Sequence, residues 1–356
     1  MRSNQLSYIA MRVFRLRATV QKLYRTPEHR SKGSRKGGGW GSLMFWRRNV
    51  AQSPDICMVG SAMTDLVARV ARLPEPGETV FGSSFTQGFG GKGSNQAVMA
   101  ARLGARVSAV VKLGRDSFGD AVRRNYEEQG VDTTFVGTAE DASGVALITV
   151  DEASGQNVIV ITPGANSSLS PEDVRGAAAV VQGAQVLVAQ LETPVAATLE
   201  AFRLAKRSGV RTLLNPAPAA DLPGELLALT DVLIPNELEA AALTGRAVTS
   251  TEDAFDAAEE LLERGPEVVI VTLGGRGAAL AERGKKPVHI VSETVKAVDT
   301  TGAGDAFVGS VAYFIACVPE LPLAQAVEKA CRIASWSVQR EGTQTSYPYR
   351  AELAWL

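Results

Sequence analysis

From Asp55 onward, short apolar runs alternate with longer segments whose apolar residues recur at helical spacing. Continuous apolar runs are typical of buried parallel strands, and amphipathic segments between them are typical of crossover helices. The pattern predicts an α/β fold: a doubly wound, mostly parallel sheet with helices on both faces. The predicted strands are Ile56–Gly60, Val107–Lys112, Val186–Ala189, Thr212–Asn215, Val232–Pro235 and Val268–Thr272.

Capping residues mark the helix boundaries. Ser117 and Asp120 have the spacing of a capping box, and Thr193 precedes Pro194 in the order of an N-cap followed by proline in the first turn. The predicted helices are Gly93–Leu103, Ser117–Gln129, Pro194–Ser208, Asp305–Cys317 and Pro322–Arg340.

Two segments, residues 64–89 and 133–161, interrupt this alternation with short β-like runs. Within the second, Val145–Val150 and Asn157–Ile161 flank a polar turn and predict a hairpin. We expect both segments to form a small sheet that acts as a lid over the carboxyl ends of the main strands, where ligands bind in such folds.

The first fifty residues differ from the rest in charge. They carry 12 Lys and Arg residues and one acid, Glu28, whereas residues 51–356 carry 25 basic and 37 acidic residues. We expect residues 1–52 to form a disordered extension and residues 53–356 to form the folded domain. Without a targeting role for the extension, the expected location is the cytoplasm, extending to the nucleus. The alternation of apolar and arginine positions over Ile9–Tyr24 keeps a mitochondrial transit peptide as the alternative.

Composition narrows the class of function. The acidic body argues against nucleic-acid binding, and no apolar run reaches the roughly 18 residues of a membrane span. Three separated cysteines predict reduced thiols, and two histidines, His29 and His289, leave little material for a histidine triad or a zinc site.

The segment Val298–Phe307 carries the strongest chemical signal. A strand-like end runs through Gly302, Ala303 and Gly304 into an apolar helix that has Asp305 at its start. Backbone N–H groups in such a turn converge on an anion, and a neighbouring carboxylate fits a general base that takes a proton from an attacking hydroxyl. A simple turn with an Asp cap remains the alternative.

A second glycine-rich segment spans Gly88–Ala97. It lacks the spacing of a phosphate-binding P-loop, and no dinucleotide fingerprint follows the first strand. We interpret it as backbone room for a small polar ligand, with Lys92 and Asn95 as hydrogen-bond donors. A helix-start turn with a solvated lysine is the alternative.

Polar residues also follow other predicted strands. Asp65 suits two neighbouring hydroxyls, and Glu192 follows the strand that ends near Ala189, although a turn-forming Asp and a first-turn Glu are the alternatives. Asn236 and Glu237 are predicted near nucleotide phosphates and the water shell of magnesium, or Asn236 as a plain N-cap. The glycine-rich turn Thr272–Gly277 offers room for a nucleotide.

Together and in this order, these segments resemble the phosphofructokinase-B superfamily of sugar kinases, and within it the ribokinase branch in its animal form. The similarity covers about Asp55 to Tyr349. It is carried by Gly60–Asp65, Gly90–Gln96, Gln190–Glu192, Asn215–Ala219, Pro235–Glu237, Thr272–Gly277, Val298–Asp305 and Gly342–Ser346.

The resemblance implies transfer of a phosphoryl group from MgATP to the 5-hydroxyl of D-ribose. Asp305 would be the base, and Gly302, Ala303 and Gly304 the anion hole. The implied sugar contacts are Met63, Thr64, Asp65, Gly91, Lys92, Gly93, Ser94, Asn95, Glu192 and Asp305. The implied nucleotide contacts are Asn236, Thr272, Leu273, Gly274, Gly275, Arg276, Gly277, Gly304, Asp305 and Cys331.

The resemblance also implies a potassium site and a homodimer formed through the lid. The implied potassium ligands are Asp299, Thr301, Ser337, Arg340, Gly342 and Ser346. Met63 stands where bacterial members carry Asn, and a thioether cannot donate a hydrogen bond, so we expect it to pack on the sugar. Kinases of the same superfamily acting on 2-deoxyribose, another sugar or a nucleoside, and a non-catalytic sensor, are the alternatives.

Overall fold

A computed structural model describes residues 54–356. The predicted basic extension, with its Ile9–Tyr24 helix, lies outside the described residues. Fourteen strands are found within residues 54–356: β1 Ile56–Val59, β2 Met63–Val70, β3 Gly82–Gly90, β4 Val107–Gly114, β5 Val131–Asp132, β6 Val136–Ala139, β7 Gly144–Asp151, β8 Asn157–Thr162, β9 Val186–Ala189, β10 Arg211–Leu214, β11 Val232–Leu233, β12 Val268–Thr272, β13 Ala278–Glu282 and β14 Val288–Ile290.

Ten α-helices accompany them in the same part of the chain. They are α1 Lys92–Leu103, α2 Ser117–Glu128, α3 Pro171–Gly176, α4 Ala178–Gly183, α5 Val195–Arg207, α6 Gly224–Ala228, α7 Glu237–Thr244, α8 Thr251–Glu263, α9 Ala303–Cys317 and α10 Leu323–Ser337.

Ten strands form one large sheet in the order β14-β13-β12-β11-β10-β9-β1-β4-β5, with β6 pairing beside β4. The strands from β12 to β5 along this order pair in parallel, and β13 and β14 add an antiparallel edge. The predicted doubly wound, mostly parallel α/β fold is confirmed.

Two hydrophobic cores cover the two faces of this sheet. Successive residues of β1 alternate between them: Ile56 and Met58 pack with α1, α2, α9 and α10, whereas Cys57 and Val59 pack with α3 to α8. This alternation is the ordinary geometry of a strand, and the continuous apolar run of β1 results from burial on both faces.

A separate four-stranded sheet has the order β3-β2-β7-β8. The predicted hairpin is present as β7 and β8, which pair antiparallel. The expected lid segment 133–161 is wrong at its start, because β6 pairs in parallel with residues 111–114 of β4 and belongs to the large sheet. A four-residue strand such as β6 carries no pattern of its own that tells the two sheets apart.

Two predicted helix caps are wrong by one residue, although α2 begins at Ser117 as predicted. Asp116, not Ser117, caps α2, because its carboxylate accepts a hydrogen bond from the Gly119 N–H. Pro194 occupies the N-cap position of α5, and the buried Thr193 hydroxyl has no hydrogen-bond partner within residues 54–356. In both helices, a residue adjacent to the predicted cap occupies the N-cap position.

Candidate active site

Helix α9 begins at a glycine turn held in place by the C-terminal segment. Gly302 has φ +75°, and a Cβ there would lie 2.5 Å from Thr343 Cγ2 and 2.7 Å from the Tyr347 hydroxyl. That hydroxyl donates a hydrogen bond of 2.9 Å to the Gly302 carbonyl. Only glycine satisfies both the backbone angle and the space.

The first turn of α9 has free N–H groups. No side chain within residues 54–356 caps this helix, whereas side chains cap both α7 and α8. The Ala303 N–H donates to the Thr300 carbonyl at 3.3 Å, so Gly302 and Gly304 supply the N–H groups that this turn offers to an anion, and the helix dipole favours an anion there.

Asp305 lies in this first turn and is 8% exposed. Its Oδ2 accepts a 2.9 Å hydrogen bond from Asn95 Nδ2, and its Oδ1 accepts one of 2.9 Å from Gln96 Nε2. A cavity of about 220 Å³, here called the central cavity, is lined by Asp305, Gly302, Gly304 and Lys92 among others. The carboxylate thus faces the space beside the anion-binding turn.

Lys92 supplies positive charge to the same cavity. The Asp305 carboxylate raises the pKa of Lys92 against the opposing effect of burial, and Glu192 and Glu239 add to the rise. No ion pair within 4.0 Å holds the Lys92 ammonium in the part of the chain that the structure describes. The side chain is therefore a cation ready for an anionic ligand.

The glycines around Lys92 allow close packing between two segments of the chain, a role that the sequence analysis did not predict. Gly91 has φ +85° and a Cβ there would lie 2.9 Å from Ala62 Cα; a Cβ on Gly93 would lie 2.7 Å from the Ser61 nitrogen. These glycines bring the start of α1 against the turn between β1 and β2. Contact between this segment and a ligand stays a prediction.

Two other residues of this segment are also occupied by protein contacts. Asn95 donates to Asp305, and the Ser94 hydroxyl accepts a hydrogen bond of 3.0 Å from Gln344 Nε2. One N–H of the Asn95 amide thus serves the base, and the donation of its other N–H to a sugar stays a prediction. Adjacent polar residues at a helix start do not reveal in sequence which partner they take.

A second cavity of about 500 Å³ lies between the small sheet and the loop after β9, and we call it the small-sheet cavity. Met63, Ile161 and Glu192 are among its lining residues. Glu192 Oε2 accepts hydrogen bonds from Ser61 Oγ at 2.5 Å and from the Lys92 N–H at 2.8 Å. These contacts fix one carboxylate oxygen of Glu192 at the boundary between the two cavities.

Asp65 projects from the same face of β2 as Met63. Burial raises the pKa of Asp65 to about 6, and the charges of Glu192 and Asp305 add to the rise. No donor within residues 54–356 hydrogen-bonds this carboxylate. Thr64 lies on the opposite face of β2, and its buried hydroxyl has no hydrogen-bond partner in the described chain.

A third cavity, of about 380 Å³, lies between the 292–300 loop and α10, and we call it the helix-side cavity. Its lining includes Thr272, Gly274, Gly275, Gly277, Ala303, Gly304, Phe307 and Cys331. Burial raises the pKa of Cys331 to about 12, so this side chain is a neutral thiol in the wall. The cavity shares Thr272 and Gly304 with the central cavity.

Two residues predicted for this cavity do not line it. Leu273 is 2% exposed and packs in the core. Arg276 forms an ion pair with Glu237 and also donates to the Thr249 carbonyl. The side chains of Leu273 and Arg276 thus point away from the cavity, and a glycine-rich pattern does not indicate this.

Glu237 is likewise placed differently from its prediction. Its ion pair with Arg276 turns it outward, and Glu239 instead lines the central cavity beside Asn236. Asn236 and Glu239 form a capping box, with Asn236 Oδ1 accepting from the Glu239 N–H at 2.8 Å. The i, i+3 spacing was the available signal, because it places both residues on one helix face.

The expected potassium ligands gather at two adjoining loops. Asp299 Oδ1 accepts from the Thr301 N–H and Oδ2 accepts from the Gly342 N–H, each at 2.9 Å. Burial opposes ionisation of Asp299, but the Thr301 and Gly342 hydrogen bonds outweigh it and lower its pKa. Ser346 Oγ donates to the Thr343 carbonyl, and Arg340 lies over the Trp336 ring. The remaining member, Ser337, ends α10, and its hydroxyl donates to the Ala334 carbonyl.

Residues that the sequence interpretation did not assign also reach the site. Gln96 contacts Asp305, Asn215 accepts a 3.1 Å hydrogen bond from Gln96, and Gln344 donates to Asn95 at 3.0 Å.

A further cavity of about 450 Å³ lies at the amino ends of β10 to β12, away from every predicted site residue. Within residues 54–356, no helix combines the length and the apolar character that crossing a membrane requires.

Similarity to known proteins agrees with this geometry. The chain is 48% identical over 311 residues to a ribokinase of Mus musculus, which covers 86% of this chain and 95% of the mouse protein. It is 41% identical over 296 residues to a deoxyribokinase of Salmonella typhi, covering 83% of this chain and 95% of that protein. The solved structure of Arabidopsis thaliana ribokinase complexed with ribose and ATP has a TM-score of 0.78 and 31% identity, covering 85% of this chain and 97% of that one.

The family model described as "pfkB family carbohydrate kinase" matches residues 53–350, which include every element of both sheets and all ten described helices. An uncapped helix start, a buried carboxylate beside it and three adjoining cavities form a site that a sugar kinase requires. The chain therefore belongs to the pfkB family of carbohydrate kinases.

Proposed function

We propose that this protein is a ribokinase, which transfers the γ-phosphoryl group of ATP to O5 of D-ribose and releases ribose 5-phosphate and ADP. The observation that carries the proposal is the position of Asp305, at an uncapped helix start in the central cavity. This cavity shares Thr272 and Gly304 with the helix-side cavity, and its Lys92 is hydrogen-bonded to Glu192 of the small-sheet cavity. The ribokinase relatives at 48% identity in mouse and 40% in Haemophilus influenzae support ribose as the substrate.

The reaction needs a base, an anion site and two aligned substrates. Asp305 accepts the O5 proton while O5 forms a bond to the γ-phosphorus and the bond from that phosphorus to the ADP oxygen breaks. The N–H groups of Gly302–Gly304 stabilise the charge that develops on the transferring group. Lys92 lines the same cavity and stabilises the same charge.

The sugar occupies the small-sheet cavity. Asp65 follows Met63, a lining residue of this cavity, on the same face of β2 and has no donor within residues 54–356, so its two oxygens are free to accept two neighbouring sugar hydroxyls. Glu192 has one oxygen held by Ser61 and Lys92 and a second for the sugar. Met63 is 3% exposed and supplies an apolar wall in place of a donor. The small sheet acts as the lid over this cavity.

The adenosine part of ATP occupies the helix-side cavity, and its phosphates extend past Gly304 into the central cavity. Thr272 and Gly304 line both cavities and so mark the junction between them. The apolar walls from Phe307 and Cys331 suit a purine ring, because aromatic bases bury well against small apolar surfaces.

The residues near the phosphates fit magnesium held largely by water and phosphate oxygens. Asn236 and Glu239 line the central cavity, and no group of three or more His, Cys, Asp or Glu residues within residues 54–356 forms an all-protein metal site. Magnesium characteristically keeps several waters and uses one or two carboxylates. When bound, it neutralises charge on the β- and γ-phosphates.

The paired loops at Asp299 and Gly342 fit a monovalent cation. One ionised carboxylate beside turns rich in backbone carbonyls is the oxygen-donor chemistry that potassium prefers. Asp299, Thr301, Ser337, Arg340, Gly342 and Ser346 would hold it, several through backbone oxygens. A bound cation supplies a fixed positive charge near the anion-binding turn.

The exposed apolar strand of the small sheet supports a homodimer. Val158, Ile159, Val160 and Ile161 of β8 are each 49–54% exposed, and β8 is an edge strand. A strand apolar on both faces is an unusual surface for a monomer and favours burial against a second copy.

We place the reaction in the cytoplasm and nucleus, with mitochondrial import as the alternative. A fusion of residues 1–50 to a fluorescent protein tests this, because a mitochondrial signal would contradict the first location.

ATP-dependent phosphorylation of D-ribose by the full chain tests the proposed function. We expect turnover of D-ribose to exceed that of 2-deoxyribose, and to rise when potassium replaces a bulky organic cation. Turnover of 2-deoxyribose above D-ribose would assign the chain to the activity of its Salmonella typhi relative. ATP binding without turnover of any sugar would favour a sensor.

A further inference from the structure

Asp305 is the meeting point of a chain of buried amide side chains. The amides come from five separate parts of the fold, and each is at most 7% exposed. They are Asn95, Gln96, Asn125, Gln190, Asn215 and Gln344. None of them titrates, and together they connect the base to residues far from the cavity.

Two amides contact the carboxylate directly, one on each oxygen. Asn95 Nδ2 lies 2.9 Å from Oδ2 and Gln96 Nε2 lies 2.9 Å from Oδ1. Both side chains rise from α1, which packs closely on α9: a Cβ on Gly309 of α9 would lie 2.6 Å from the Gln96 carbonyl oxygen. The remaining lone pairs of Asp305 face the central cavity.

Each of these two amides is oriented by a further amide. Gln344 Nε2 donates to Asn95 Oδ1 at 3.0 Å, and Asn125 Nδ2 donates to Gln344 Oε1 at 2.9 Å. On the other side, Gln190 Nε2 donates to Gln96 Oε1 at 2.5 Å. Along both branches the N–H groups point toward Asp305 and the carbonyl groups point away from it. Asn215 lies off these branches, because its Oδ1 accepts a second hydrogen bond from Gln96 Nε2 at 3.1 Å.

This uniform direction has a chemical consequence. An amide whose oxygen already accepts a hydrogen bond is a better donor, and chains of such bonds reinforce one another in a buried setting. Donors to a carboxylate favour its ionised form. The carbonyl ends of Asn95 and Gln96 are occupied, so neither side chain can rotate to face Asp305 with its oxygen without breaking a hydrogen bond.

Other charged groups face Asp305 from neighbouring elements. Lys92 from α1 attracts its negative charge, whereas Asp65 from β2 and Glu239 from α7 repel it. Tyr347 from the C-terminal segment also lies within reach of that charge, and burial and Asp305 raise its pKa. The amide variants below leave these four groups in place, so changes in pH dependence report the amides.

We propose that Gln96 and Gln344 are positioning residues for the base: Gln96 orients the Asp305 carboxylate directly, and Gln344 orients it through Asn95. The inference rests on the proposed function. The positioning role adds no reacting group to the mechanism. Because the amides occupy one side of both Asp305 oxygens, the carboxylate accepts the sugar proton from the other side.

Steady-state kinetics of two near-isosteric variants test it. Gln344→Met removes the donor to Asn95 Oδ1 without adding a charge, so Asn95 is free to turn its Nδ2 away from Asp305. Gln96→Met removes the donor to Oδ1. For both we expect kcat to fall by about 10- to 100-fold at pH 7, KM for D-ribose to stay within about threefold, and the acid limb of the kcat–pH profile to move upward by about one pH unit.

Gln129→Met is the matched control. Gln129 lies at the end of α2, and its side chain bonds Arg102 and Tyr349 rather than the base. We expect its kcat and pH profile to match those of the unchanged chain. If Gln96→Met does not fold, the uncharged Gln344→Met alone decides, and Asn125→Leu, one step further out, is expected to give the same upward shift at a smaller size.

The outcomes separate the two proposals. Absence of turnover by the unchanged full chain on D-ribose would contradict the proposed function. Full turnover by that chain together with an unmoved pH profile in folded Gln344→Met and Gln96→Met would overturn the positioning role alone. A fall in kcat that only follows the folded fraction, at constant pH profile, would overturn it as well.

Discussion

The carboxyl edge of the large sheet and the facing side of the small sheet border the same space, yet they hold their carboxylates differently. Asp305, beside the large sheet, accepts a hydrogen bond on each oxygen from buried amides. Asp65, on the small sheet, has no hydrogen-bond donor within residues 54–356 and a pKa raised to about 6.

The difference separates two parts of catalysis. The large-sheet side is organised before any substrate arrives, as electrostatic preorganisation requires. The small-sheet side keeps a desolvated carboxylate whose partners are the hydroxyls of the sugar. We therefore expect substitutions beside the large sheet to lower kcat, and substitutions on the small sheet to raise KM for the sugar.

Of these substitutions, Asp305→Asn is expected to have the largest effect on kcat. The amide cannot accept the O5 proton, so we expect kcat to fall by about 10²- to 10⁴-fold while the dissociation constant for D-ribose stays near its original value. Single-turnover kinetics and calorimetric ribose binding measure the two effects. Asp120→Asn, on the exposed face of α2, is the control, and a kcat close to that of the unchanged chain for Asp305→Asn would exclude the base role.

Asp65→Asn tests the sugar-binding role of the small sheet through KM for D-ribose. We expect KM for D-ribose to rise by about 10- to 100-fold with a smaller change in kcat, because a ground-state contact is lost. In the unchanged chain, KM should rise as the pH falls through about 6, where Asp65 takes up a proton, and the variant should lack this rise. An equal pH dependence of KM in both would contradict the assignment.

The same carboxylate carries a stability cost. Its pKa in the folded protein, about 6, lies above the ordinary 3.8, so the ligand-free protein loses stability as the pH rises between these values. We expect Asp65→Asn to stabilise the ligand-free protein by up to about 3 kcal/mol at pH 8 and to have no such effect below pH 4. Denaturant unfolding at the two pH values measures the difference.

A smaller effect, on the potassium response of kcat, is expected at the loops around Asp299 and Gly342. Asp299 is held ionised by N–H groups from both loops, so Asp299→Asn removes the one carboxylate of the expected site. We expect the stimulation of kcat by potassium to fall by about tenfold, with KM for D-ribose nearly unchanged. Retention of the full potassium response would contradict this assignment.

The two regions also differ in how far the sequence predicts them. The strands of the large sheet are continuous apolar runs, so the periodicity alone identified β1, β4, β9, β10, β11 and β12 and the fold class. β6 was assigned to the wrong sheet, because pairing partners of a four-residue strand are set by tertiary contacts that a local pattern does not contain.

Within the site, motifs predicted which segments meet but not which side chain faces the cavity. Gly302, Gly304, Asp305 and Lys92 lie where the glycine-rich patterns indicated. Gln344 is far from Asn95 in sequence and joins it only through the fold, so no spacing could have revealed the contact. Glu237 and Glu239 are a different case, since the i, i+3 relation to Asn236 already favoured Glu239.

The smallest expected effect concerns the outer surface of the small sheet. Ile159 is 49% exposed in the apolar edge strand β8, so Ile159→Glu places a charge in the proposed dimer contact. We expect the mass in light scattering to fall from that of a dimer to that of one chain, while kcat changes by less than about threefold, because the base and the anion-binding turn lie beside the other sheet. Val288→Glu is the control, since Val288 is similarly exposed, at 46%, on the edge strand β14 of the large sheet. A single-chain mass for the unchanged protein would exclude the dimer, and a large fall in kcat with the monomeric variant would show that the two regions are not as separable as their hydrogen bonding indicates.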